Sequence, residues 1–127
     1  MEKLTIAAKN LTPFIDLDPD KAILVFQGES YPENVLAFYR PVLDWIKTYF
    51  DEVDPAMETQ VQVSLRYMNT SSTKIFMMIF DLCQDAVAKG RKVDIQWRHH
   101  REDDLIREMG EDLSDGLMVP FHFVAEE

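Results

Sequence analysis

The sequence predicts an α/β domain on a mixed sheet of about five to six strands with three helices. Segments that alternate polar and apolar residues recur along the chain, and three segments with helical spacing separate the later ones. The order is strands, helix, strand, helix, strand, helix, strand, which implies a partly parallel sheet with right-handed crossovers. No repeat, low-complexity tract or linker interrupts the chain, so residues 1–127 read as a single domain.

Each element follows from local chemistry. "LTIAAKN" alternates as a short strand, and residues 13–29 read as two strands joined by a tight turn at Asp18, Pro19 and Asp20. The apolar run from Ile23 to Phe26 is expected to be a strand covered on both faces. Ser30 and Glu33 have capping-box spacing for the first helix, with Pro32 in its first turn. Leu36, Tyr39, Leu43, Ile46 and Phe50 form the buried stripe of that helix, and Pro41 is expected to kink or divide it. "VQVSLRY" puts Val61, Val63, Leu65 and Tyr67 on one face of the next strand. "KIFMMIFDLCQDAVAKG" is helical and closes at Gly90. "KVDIQWRH" alternates again, "EDDLIREMGEDLSDG" is an acidic, weakly amphipathic helix, and "MVPFHFVA" is the last strand.

Composition narrows the function classes. A hydrophobic fraction of 46% and an aromatic fraction of 11% supply a core and argue against disorder. No apolar run approaches the ~20 residues that span a bilayer, and "MEKLTIAAKN" lacks a signal-peptide core. The lone Cys83 gives neither a disulfide nor a zinc cluster. These features predict a cytoplasmic protein without direct membrane insertion. The net charge of -10, from 23 acidic and 13 basic side chains, makes nucleic acid a poor partner.

No nucleophile-plus-base spacing, Gly-rich phosphate loop or paired-carboxylate signature stands out, so the reading is a non-enzyme with no cofactor and no metal. His99 and His100 are adjacent in a strand and point to opposite faces. With Trp97, Arg98 and Arg101 they read as a basic patch, and His122 reads as a strand residue rather than a base. The notable feature is "YMNTSSTK", which sets Thr70, Ser71, Ser72 and Thr73 where a strand gives way to a helix. Free N–H groups and the helix dipole favour an anion there, including a phosphate on one hydroxyl. Equally, Asn69 or Thr70 caps the helix and the other hydroxyls are solvated. The six apolar residues Ile75 to Phe80 exceed one buried stripe, so either neighbours surround the helix or Phe76 and Met77 project as a contact surface.

"GESYPEN" at residues 28–34 and "YMNTSSTK" at 67–74, with "PVLDWI" and "VDIQWRHH", resemble the SiaC family of bacterial biofilm-regulating phosphoproteins. The resemblance implies a STAS-like fold, similar to anti-sigma-factor antagonists, with three helices mainly on one face of the sheet. It implies Thr70 as the acceptor of a serine/threonine kinase (SiaB-like), reset by a PP2C-type phosphatase (SiaA-like). It further implies that the unphosphorylated form binds and activates a GGDEF diguanylate cyclase (SiaD-like) in cyclic di-GMP signalling. On a STAS-like topology the two motifs lie side by side. The partner surface then comprises Tyr31, Pro32, Glu33, Asn34, Asn69, Ser71, Ser72, Lys74, Phe76 and Met77. The alternative is a small-ligand or nucleotide-phosphate-binding module that uses the helix N-terminus after Asn69.

Overall fold

The computed structural model describes residues 1–127. Nine elements follow one another: β1 (Leu4–Ile6), β2 (Phe14–Asp18), β3 (Ile23–Ser30), α1 (Val35–Glu52), β4 (Glu58–Met68), α2 (Thr70–Ala88), β5 (Lys92–His100), α3 (Asp104–Ser114) and β6 (Phe121–Glu126). The six strands lie in sequence order in one mixed sheet. β1, β2 and β3 form an antiparallel meander, and β3 to β6 run parallel with a helix in each crossover.

The β2–β3 turn closes as its Asp and Pro predict. The Asp18 carboxylate accepts from the amides of Asp20 and Lys21 at 3.0 and 3.1 Å. The Lys21 amide bond is the main cause holding the Asp18 carboxyl below its usual range. Gly90 ends α2 at a positive φ of 93°, with Arg91 N donating to Ala86 O and Gly90 N to Val87 O. That is the paired-bond helix stop that glycine permits.

The helices form one layer. Leu24 and Phe26, Val61, Val63 and Leu65, and Ile95 and Trp97 join Tyr39, Ile46, Phe76, Phe80 and Ile106 in a single core cluster. The other sheet face carries no helix: Val25, Gln62, Gln96 and His122 are aligned across four strands and none is buried. Ile23 and Val25 are therefore half-buried, and β3 is covered on one face rather than two. An apolar run gives no information about the second face when that face borders glutamines rather than helices.

Gly110 of α3 lies against this core. A Cβ there would stand 2.5 Å from Trp97 Nε1, and the indole cannot yield because it is fully buried and donates to Ile106 O at 2.9 Å. Gly110→Ala is expected to cost about 1–3 kcal/mol through overpacking, read as a lower urea midpoint with an unchanged slope.

The sequence expectations at Ser30, Pro32 and Leu36 fail here for local reasons. Ser30 does not cap α1 and Pro32 is not in its first turn. β3 continues through Ser30, and Asn34 caps the helix by accepting from Ala37 N at 3.1 Å. Pro41 does not divide α1, which runs unbroken from Val35 to Glu52. Leu36 is exposed, while Val42 and Tyr49 join Tyr39, Leu43, Ile46 and Phe50 in the core.

Candidate functional site

The site is built where β3 and β4 end side by side. Ser30 pairs with Met68, and Asn69 N donates to Ser30 O at 3.1 Å, so the two sequence motifs are neighbours. The register between the strands slips at Gly28/Glu29, leaving Arg66 as an extra residue in β4. This bulge reverses the alternation that put Tyr67 with Val61, Val63 and Leu65. Met68 goes into the core and Tyr67 turns out, 40% exposed, to stack on Tyr31 with ring centroids 5.6 Å apart.

The four hydroxyls have three different roles. Asn69 caps α2, its side chain accepting from Ser72 N at 2.8 Å. Thr73 Oγ1 donates back to Asn69 O at 3.1 Å. The Ser72 hydroxyl is fully buried, 2.7 Å from Ser30 Oγ, which in turn lies 2.6 Å from Tyr39 Oη. Ser72 Oγ also donates to Ser30 O at 3.1 Å. Burial pushes the Tyr39 phenol up to about 12, with the Ser30 bond opposing it only in part. Thr70 and Ser71 are exposed.

The buried hydroxyl chain ties α2 to the end of β3 and to α1. Ser30→Ala strips Tyr39 of its buried partner and is expected to cost about 1–3 kcal/mol. Tyr39→Phe leaves Ser30 bonded to Ser72 and should cost less. Urea unfolding of the two variants distinguishes them.

Thr70 is the first residue of α2, where the N–H groups of the first turn lack intrahelical acceptors. Beside it an open groove of about 700 Å³ runs between α2 and α3. Tyr67, Met77, Leu105, Met109 and Leu117 line it, with Asp81, Asp112 and Asp115 among the lining residues. Lys74 is exposed one turn along α2.

The predicted partner surface is thus divided. Tyr31, Glu33, Asn34, Ser71, Lys74 and Met77 are exposed, and Asn69 is half-buried. Pro32, Ser72 and Phe76 are buried and are not contact residues in this conformation. Phe76 packs edge-on to Phe26 at 5.3 Å, filling the core beneath Tyr39. Of the six apolar residues of α2, Ile75, Phe76, Ile79 and Phe80 face inward, while Met77 and Met78 face out. Sequence reasoning left out Tyr67, because the bulge that exposes it has no signature in β4 alone.

The histidines take other roles. Trp97 is core, Arg98 and Arg101 reach Glu126 and Glu127, and His99 is buried, so no free basic patch forms. His122 Nε2 stands 2.9 Å from Asp94 Oδ1 on the open sheet face, a pairing visible only once β5 and β6 are in register. Burial pushes the Cys83 thiol up to about 12, which leaves it inert as a nucleophile. No helix is long and apolar enough to cross a membrane.

Comparison with known proteins identifies the family and the fold. Residues 6–126 match the family described as SiaC family regulatory phosphoprotein. An uncharacterised protein of Pseudomonas aeruginosa strain UCBPP-PA14 is 32% identical over 127 residues, covering 100% of this chain and 99% of the relative. The crystal structure of apo-SiaC from Pseudomonas aeruginosa superposes with a TM-score of 0.91 at 32% identity, over 98% of this chain and 100% of that one. SiaC in the crystal structure of diguanylate cyclase SiaD with its activator SiaC, also from Pseudomonas aeruginosa, gives the same score over 97% and 99% of the two chains. The chain, an α/β domain with three helices on a six-stranded mixed sheet, belongs to the SiaC family of regulatory phosphoproteins.

Proposed function

We propose that the unphosphorylated chain binds and activates a GGDEF diguanylate cyclase, raising cyclic di-GMP, and that phosphorylation of Thr70 switches it off. A serine/threonine kinase installs the phosphate and a PP2C-type phosphatase removes it. The protein acts by binding and catalyses no reaction itself. The observation that carries this reading is the position of Thr70: exposed, first in α2, and beside the exposed Tyr31, Tyr67 and Met77. The likeness to SiaC, which was crystallised with the cyclase it activates, supplies the partner class.

The physics explains how one group can spare the fold and block the partner. A phosphate adds about -1.5 to -2 charges and three acceptor oxygens. The free N–H groups and dipole of α2 accommodate that charge while it remains hydrated. A partner lying on the neighbouring aromatic and methionine side chains would have to desolvate it, which is costly. A phosphate-bearing small ligand is disfavoured at the same place, because Asp81, Asp112 and Asp115 line the adjoining groove.

Trypsin isolates the cluster as the peptide Tyr67 to Lys74. After incubation with ATP and the cognate kinase, fragment-ion mass spectrometry is expected to place one phosphate on Thr70. Phosphate on Ser71 would reassign the acceptor, and none at all with a demonstrably active kinase would overturn the switch.

A further inference from the structure

β6 closes one side of the sheet, and nothing in the chain pairs with its outer edge. Pro120 O accepts from Ile95 N at 2.9 Å, and Glu126 O accepts from Arg101 N at 2.8 Å. Backbone direction alternates along a strand, so the even-numbered residues of β6 bond β5. Phe121, Phe123 and Ala125 consequently turn their N–H and C=O groups outward, and no turn, loop or cap bond takes them up.

The edge also lacks the usual protection against pairing. β1, at the far side, has three residues and is flanked by Lys3, which pairs with Asp16 and Asp18. β6 holds six residues in unbroken register with β5, without proline, lysine or bulge, and exposes 40% of Phe123. Edges of this kind are templates for another strand.

We propose that β6 pairs antiparallel with β6 of a second copy of this chain, around a two-fold axis at Phe123. The register is self-complementary. Phe121 bonds Ala125 of the second copy, Phe123 bonds its own counterpart, and every outward N–H and C=O of both strands is satisfied. The two Phe123 rings meet across the axis as a cross-strand aromatic pair. His122 faces Val124, while Glu126 and Glu127 fall opposite Pro120 and Val119, so no like charges are directly apposed. With -10 on each chain, added salt should tighten the pairing by screening the mutual repulsion. None of the three edge residues lines the groove beside Thr70, so this pairing stands or falls independently of the proposed function.

Sedimentation equilibrium of the full chain tests it, with twice the 14.8 kDa chain mass expected as concentration rises. Ala125→Pro removes an outward donor while sparing the β5 ladder. It deletes two interstrand bonds and should raise the dissociation constant on the order of thirtyfold. Phe123→Lys places two ammonium groups at the axis and should act in the same direction. Independently of any variant, amide exchange at Phe121, Phe123 and Ala125 should slow about fivefold at a total chain concentration of roughly ten times the dissociation constant. A wild-type protein that stays at one chain mass into the millimolar range overturns the proposal. So does a dimer indifferent to both folded variants, or edge amides whose exchange ignores concentration.

Discussion

Phe76→Ala is expected to destabilise the protein by about 3–5 kcal/mol, whereas Met77→Ala next to it should change stability by less than about 0.5 kcal/mol. The contrast follows from one turn of one helix. Phe76 is fully buried, with ring centroids of Phe26, Tyr39 and Phe80 at 5.3, 6.0 and 6.1 Å, and truncation leaves a cavity that these rings cannot close. Met77 is 53% exposed and loses little on truncation within the isolated chain. In the complex the order reverses. Met77→Ala removes a flexible apolar contact beside Thr70 and should weaken cyclase binding about tenfold, a cost of ~1.4 kcal/mol. Urea unfolding and a binding titration on the same two variants check both halves.

The second large effect is on the hydroxyl that begins α2. A single phosphate on Thr70 should weaken cyclase binding on the order of a hundredfold or more, about 2.7 kcal/mol, because an unpaired charge is buried at the interface. Thermal stability of the free protein should hardly change, since the charge sits at a favourable helix end. Thr70→Asp should act in the same direction but more weakly, as a carboxylate carries less charge and fewer acceptors. Ser72→Asp should behave differently. Its side chain lies in the buried chain with Ser30 and Tyr39, so the introduced carboxylate would unfold the region rather than switch it.

Much of the fold was legible because its signals are local. Alternation marked the strands, the Asp18–Pro19–Asp20 turn closed as its residues require, and Gly90 stopped α2 at the position where a positive φ is needed. The partly parallel sheet followed from the order of the elements alone. What was not legible depended on pairing between distant segments. Ser30 looked like a helix cap because its spacing to Glu33 fits one, yet its hydroxyl is used by Tyr39 and Ser72, the latter 42 residues away. Tyr67 looked like core because alternation cannot reveal a bulge whose cause is the register against β3.

The candidate site shows the same division. "YMNTSSTK" announced a helix start and a choice among hydroxyls, but only the helix phase separates exposed Thr70 and Ser71 from buried Ser72. Likewise the run Ile75 to Phe80 announced surplus apolar surface without saying which residues carry it. The phase of α2 gives that role to Met77 and Met78 and takes it from Phe76.

The most direct measurement of the central claim is a binding titration of the cyclase against two preparations of this chain, one unphosphorylated and one carrying a single phosphate confirmed on Thr70. Cyclase turnover is followed in the same samples. The unphosphorylated protein is expected to bind and raise turnover, and the phosphorylated protein to do neither at the same concentration. Equal affinity and equal activation by both preparations would contradict the switch, whatever kinase had installed the phosphate.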